Sequence, residues 1–295
     1  MKKTIFTGAG VAIVTPFDKD NKINFDLLGK LIDWQIDSGT DAVIICGTTG
    51  ESPVLDHEEH SKAIKFAVDY VRGRVPVIAG TGSNDTAYGV KLSNEAEKAG
   101  VDGLLMVTPY YNKTSQSGLI KHYEYIADRV SAPIIIYNVP SRTGLNVKPQ
   151  TYYELSKHDR IVAIKEANGD ISAIAKTISL CGDSLDVYVG NDDQITAFMS
   201  LGAKGVISVL SNVAPKAAHD IASRYLNGDH KGSANLQLEY LQLCNDLFIE
   251  VSPVPVKEAL VMMGYDVGPC RLPLSPLSDS NREVLKSTLK KYNLI

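Results

Sequence analysis

A chain of 295 residues makes one large domain or two small ones, and its 44% hydrophobic and 22% charged residues are ordinary for a globular protein. Thirty Lys and Arg against thirty-four Asp and Glu give a formal net charge of −4 with no basic run, which excludes a generic nucleic-acid binder. No apolar stretch approaches the ~18 residues of a membrane span, so no membrane partner is expected.

The N-terminal Met1-Lys2-Lys3 leads into a Gly-rich segment broken by Pro16, which reads as mature protein rather than a signal peptide. Eight short apolar runs then follow: Gly10–Phe17, Ala42–Gly47, Val75–Gly82, Gly103–Tyr110, Pro133–Pro140, Ile161–Asn168, Leu185–Asp192 and Gly205–Asn212. They are apolar on both faces, as buried parallel strands are. Their starts lie 20 to 33 residues apart, room for one crossover helix each. The first gap has Asn24 as a cap, Leu28, Leu31 and Ile32 as an apolar stripe and Gly39 as a stop. In the second, Asp56 and Glu59 have capping-box spacing, Ile64, Ala67, Val68 and Val71 repeat at helical period, and Gly73 ends the pattern. Eight such alternations predict a (β/α)8 TIM barrel over residues 1–225, with a doubly wound open sheet as the alternative. Residues 226–295 hold no strand run and read as a C-terminal helical extension.

A barrel carries its functional groups at the C-terminal ends of its strands. The second run ends in Gly47-Thr48-Thr49-Gly50-Glu51-Ser52. Its hydroxyls and amides can hold a carboxylate or carbonyl, or simply make a tight turn. The fourth ends in Thr108-Pro109-Tyr110-Tyr111-Asn112 and the fifth in Tyr137-Asn138-Val139-Pro140-Ser141-Arg142. Phenols relay protons and a guanidinium grips carboxylates, although a tyrosine here could equally be a core or interface aromatic.

The sixth run carries Lys165 within Ile161-Val162-Ala163-Ile164-Lys165-Glu166. An ammonium inside an apolar strand is costly. The plain alternatives are a side chain that reaches out to solvent or a buried pair with Glu166, which strand neighbours on opposite faces do not simply form. Facing the barrel interior, Lys165 would be a desolvated, nucleophilic amine suited to a Schiff base with a keto substrate. Gly190, at the seventh tip, lets a ligand approach the backbone, and the eighth run holds Ile207, Ser208 and Ser211. The absence of Arg or Lys at these two tips before Lys216 disfavours a phosphorylated substrate.

No metal site is expected. His57-Glu58-Glu59-His60 is one residue short of H-E-x-x-H. Gly8-Ala9-Gly10 lacks the third glycine of a dinucleotide fingerprint and precedes the first run. Cys46, Cys181, Cys244 and Cys270 form no C-x-x-C, which points to a reduced, cytoplasmic compartment.

Taken in order, GTTGES, TPYYN, YNVPSRTG and the lysine of IKEA resemble the dihydrodipicolinate synthase / N-acetylneuraminate lyase superfamily of Schiff-base aldolases, across nearly the whole chain. Arg142 makes the resemblance closest to the synthase branch, whose members condense pyruvate with L-aspartate-4-semialdehyde on the route to diaminopimelate and lysine. The resemblance implies that Lys165 forms the imine, Thr49 binds the pyruvate carboxylate, and Tyr137 is the general acid/base. It implies that Thr48 links Tyr137 to Tyr111 of a neighbouring subunit, and that Arg142 holds the semialdehyde carboxylate. Gly190 and Ile207 would give backbone contacts, and no cofactor is needed. The family suggests a homotetramer of two tight dimers, and the relay requires at least a homodimer.

Lysine-regulated members bind lysine in a cleft to which Ser52, His57, His60, Asn84 and Tyr110 correspond. Pro53 and Tyr88 depart from that pattern, Tyr88 standing where regulated enzymes carry a glutamate, so weak or absent inhibition is expected. A lyase of 2-keto-3-deoxy sugar acids or N-acetylneuraminate is the alternative enzyme. A non-catalytic barrel would be expected to lack the lysine or a phenol, and neither is missing.

Overall fold

The computed structural model describes residues 2–295. Every apolar run overlaps a strand, and every gap holds a helix. The first half runs β1 (Gly8–Ala12), α1 (Phe25–Asp37), β2 (Ala42–Ile45), α2 (His57–Val71), β3 (Val77–Gly80), α3 (Thr86–Ala99), β4 (Gly103–Val107) and α4 (Gln116–Ala127). Then come β5 (Ile134–Asn138), α5 (Pro140–Thr143), α6 (Pro149–Leu155), β6 (Ile161–Glu166) and α7 (Ile171–Cys181). β7 (Asp186–Val189), α8 (Ile195–Met199), β8 (Gly205–Ser208) and α9 (Pro215–Leu226) complete the ring. The strands pair in parallel in chain order, and β8 returns to β1, so the sheet is a closed barrel and not an open one. That closure needs glycine: a Cβ on Gly205 would stand 1.9 Å from the Gly8 carbonyl oxygen.

Burial on both faces explains why the strands read as continuous apolar runs. Val11, Val43, Met106, Ile136 and Ile164 pack outward against the helices. Ile44, Ile78, Leu105, Ile135 and Ile207 fill the interior with Phe6 and Tyr188, whose rings stack 4.4 Å apart. Asn24 caps α1 by accepting from the Leu27 amide, and Asp56 and Glu59 form a complete capping box on α2. α2 ends on two left-handed residues, Arg72 at φ 51° and the expected Gly73 at φ 72°.

The first strand differs from expectation. It is Gly8–Ala12 rather than Gly10–Phe17, so Gly8-Ala9-Gly10 lies within it and not before it. Val14 and Phe17 are apolar because they are buried, not because they extend the strand: Val14 N–H donates to Asn212 and Phe17 N–H to the Val267 carbonyl. Beyond α9 the chain builds four helices, α10 (His230–Glu239), α11 (Leu241–Asp246), α12 (Val254–Met262) and α13 (Asp279–Lys291). α13 packs against α11 and α12, and the segment joining those two reaches over the barrel mouth. No helix among the described residues is long and apolar enough to cross a membrane.

Candidate active site

Strand register decides which way Lys165 points. It sits level with Tyr137 on β5 and Tyr188 on β7. Its side chain is directed inward, with Nζ 4.4 Å from the centre of the Tyr137 ring and the residue only 5% exposed. Burial pushes the ammonium down to about 8; the Asp192 carboxylate opposes this and the Arg142 guanidinium adds to it. At pH 7 about one amine in ten is then neutral, against about one in 2,500 for an ordinary lysine. Glu166 takes the opposite face. It accepts from Asn138 Nδ2 at 2.8 and 3.1 Å and from the Tyr152 hydroxyl at 2.9 Å, and burial pushes its carboxyl up to about 7.

Tyr137 is buried beside Lys165. Burial pushes its phenol up, while the Arg142 guanidinium and the neighbouring Thr48 side chain act the other way. Thr48 and Thr49 stand in the turn after β2, where the Glu51 amide donates to the Thr48 carbonyl at 3.1 Å. Arg142 lies on the short α5, and its Nη2 donates to the Ser252 carbonyl at 2.9 Å. One cavity of about 600 Å³ at the C-terminal mouth gathers Lys165, Tyr137, Thr48, Thr49, Arg142 and Gly190. Gly190 has a packing reason as well as a ligand one: a Cβ there would meet Ala167 Cβ at 2.7 Å and the Glu166 carbonyl at 2.8 Å. Ile207 is fully buried in the barrel interior and is not among the cavity's lining residues.

Tyr111 is not brought to this cavity. Its ring is 91% exposed, and it holds a left-handed φ of 68°. Its loop is tied to the one after β3, because Asn84 Nδ2 donates to the Tyr110 carbonyl and Asn112 Nδ2 to the Asn84 carbonyl. An adjoining cavity of about 370 Å³ shares Thr48 and Arg142 with the first and is lined by Ser52, Pro53, His60, Tyr88 and Tyr110. His57 and Asn84 do not line it. A larger depression of about 740 Å³, bordered by Asn84 and His122, opens outside the barrel mouth and contains none of the groups around Lys165.

The two histidines of His57-Glu58-Glu59-His60 diverge. His57 bonds Tyr88 and Glu95 near the surface, whereas buried His60 bonds the Gly80 carbonyl. No cluster of three or more metal-ligating side chains occurs among the described residues.

Sequence reasoning missed two contributions. Phe248, Val251 and Ser252 roof the cavity from the segment between α11 and α12. No local signal marks them, because only the tertiary fold brings them there. Asp192 is 97% buried; one oxygen accepts from the Val209 and Leu210 amides at 2.9 Å, and the other has no partner. Its place beside the Gly190-Asn191 tip was the available signal.

The model of the dihydrodipicolinate synthetase family matches residues 5–292. A protein of Thermoanaerobacter sp. (strain X514) named 4-hydroxy-tetrahydrodipicolinate synthase is 55% identical over 292 residues, 99% of this chain and 98% of its own. One of the same name from Acetivibrio thermocellus is 52% identical over the full length of both chains. The crystal structure of the chloride-inhibited dihydrodipicolinate synthase from Acinetobacter baumannii, complexed with pyruvate, superposes with a TM-score of 0.97. It is 41% identical and covers 99% of this chain and 100% of its own.

Proposed function

The chain belongs to the dihydrodipicolinate synthetase family, and from that premise we propose that it condenses pyruvate with L-aspartate-4-semialdehyde, as a lyase of the 4-hydroxy-tetrahydrodipicolinate synthase type. The observation that carries this reading is one buried, partly neutral amine at the floor of a cavity whose walls offer a phenol, two threonines and an arginine. The relatives' shared name gives no support to the sugar-acid lyase alternative.

The chemistry follows from the geometry. Lys165 Nζ attacks the keto carbon of pyruvate and water leaves, forming an imine. The protonated imine draws electrons from the adjacent methyl carbon, which loses a proton to give an enamine. Tyr137, 4.4 Å from Nζ by ring centre, is placed to move that proton and to protonate the aldehyde oxygen when the enamine carbon attacks it. Thr49 supplies neutral donors for the pyruvate carboxylate, which do not compete for the imine proton, and Thr48 links Tyr137 to Tyr111 of a second copy. Arg142 at the rim takes the carboxylate of the second substrate, with its guanidinium fixed by the Ser252 carbonyl. We place Tyr111 in the site of a second copy of the chain; its exposed ring on a braced loop supports this, and it makes a homodimer the smallest complete unit, a homotetramer being two of them. The proposed compartment is the cytoplasm, in keeping with four unpaired cysteines.

The test is a condensation assay with pyruvate and L-aspartate-4-semialdehyde, in the wild type and in Arg142→Ala. A charged hydrogen bond contributes about 1.5–3 kcal/mol, so KM for the semialdehyde should rise about 10- to 100-fold while pyruvate still forms its imine. Arg142 also lowers the Lys165 pKa, so imine formation in the variant should need a higher pH. A semialdehyde KM unchanged by the substitution would remove Arg142 from this role.

The adjoining cleft allows a second expectation. Among the described residues no carboxylate lines it, so the ammonium of a lysine effector would meet no opposite charge. Tyr88 occupies the cleft, with its hydroxyl bonded to His57 Nδ1 at 3.3 Å. Lysine titrated into the assay should leave the rate nearly unchanged; strong inhibition at low concentration would contradict this.

A further inference from the structure

Beneath the threonine turn lies an ion pair that no local sequence pattern announces. Glu51 and Lys257 are 206 residues apart in the chain, yet their charged ends meet at 2.9 Å, with the side chains 1% and 2% exposed. All three ammonium protons of Lys257 are placed: on Glu51, on the Thr15 carbonyl at 3.2 Å and on the Pro269 carbonyl at 3.0 Å. The second Glu51 oxygen accepts from the Arg271 amide at 2.8 Å. The Arg271 guanidinium then grips Glu59 through two 2.6 Å bonds and donates to the carbonyls of Val54 and Asn21. The Phe17 ring lies against both cations, 4.4 Å from Lys257 Nζ and 4.2 Å from the Arg271 guanidinium carbon.

A buried pair of this kind is poor at adding stability, because desolvating both charges offsets most of their attraction. What it can do is fix a position. Glu51 holds a left-handed φ of 56°, an unfavourable state for a non-glycine residue, and its amide donates to the Thr48 carbonyl. One residue earlier, the Gly50 carbonyl accepts from the Thr15 hydroxyl at 2.7 Å. The turn bearing Thr48 and Thr49 is thus anchored on one side by β1's following loop and on the other by α12.

We propose that Glu51 and Lys257 are positioning residues for the pyruvate-binding turn, through which the C-terminal helices set where Thr48 and Thr49 stand relative to Lys165. The inference rests on the reading of this cavity as a pyruvate site. Neither residue lines the cavity. Their effect is mechanical: if the turn relaxes by about 1 Å, the carboxylate donors and the Thr48 side chain beside Tyr137 both lose alignment, a displacement that can lower rate about a hundredfold.

The experiment compares the isosteric Glu51→Gln, the slightly shorter Lys257→Met and the double variant, all in the whole chain. Readouts are KM for each substrate, the rate of pyruvate adduct trapping by borohydride, and thermal stability. Each single variant strands a buried charge and should melt earlier; the double variant strands none and should regain stability. If the pair positions the turn, the double variant still raises KM for pyruvate and slows trapping about tenfold or more, with the semialdehyde KM moved less than about twofold. If the pair is only structural, the double variant traps pyruvate at the wild-type rate, and the proposal is overturned. Should the single variants fail to fold, the double variant alone decides. A wild type that traps no pyruvate would instead overturn the reading of the cavity itself.

Discussion

Lys165→Met is expected to abolish condensation and to stabilise the fold at the same time. Without the amine no imine forms, and the methyl carbon of pyruvate loses the electron sink that makes it acidic. The rate should drop on the order of 10³-fold or more, equivalent to about 4 kcal/mol of barrier. The stability gain follows from the same burial that makes the amine reactive, because burial brings the folded-state ammonium from its usual 10.5 down to about 8. That shift is worth about 3 kcal/mol at low pH. The sign is fixed by proton uptake: between pH about 8 and 10.5 the unfolded chain binds more protons than the folded one, so wild-type stability rises with pH across that window. Below about 8 both states are protonated and the folded state bears the full penalty. The stability advantage of Lys165→Met should therefore be largest below pH 8 and shrink towards pH 10.5, as thermal melts at several pH values would show. A variant no more stable than the wild type at pH 7 would mean that the ammonium is not desolvated.

Tyr137→Phe should retain the imine and lose the turnover. In the proposed mechanism the phenol carries the proton beside Lys165, and removing its hydroxyl leaves the ring that packs over Nζ. General acid–base groups typically contribute about 10² to 10⁴ in rate, so kcat should fall by about that factor, or about 3–5 kcal/mol. Pyruvate trapping by borohydride should slow far less than condensation, because the amine and the carboxylate donors survive. If kcat falls less than about tenfold, another group moves the proton.

The barrel was legible because its strands are buried on both sides and its helices carry their caps in sequence, as at Asn24 and Asp56. Lys165 was legible for a related reason: a charge amid apolar neighbours has to be explained. The same signal is present at Lys257, within Val254-Pro255-Val256-Lys257-Glu258-Ala259-Leu260, but a helix there gave no strand tip to suggest a site. Its partner, Glu51, lay in plain view in the threonine turn with nothing local to say that it is buried. The first strand was misplaced because an apolar run reports burial and not pairing, and Val14 and Phe17 are buried by other contacts. Ser52, His60 and Tyr110 meet in one cleft, whereas His57 turns to Glu95 and Asn84 to the Tyr110 backbone.

The central claim is that Lys165 Nζ captures a keto acid inside the barrel. Borohydride reduction with pyruvate present, followed by mass spectrometry of the digested protein, tests it most directly. A reduced pyruvyl adduct on the peptide carrying Lys165, forming faster as pH rises towards 8 and lacking in Lys165→Met, is the expected result. An unmodified Lys165, or an adduct spread over surface lysines, would contradict it.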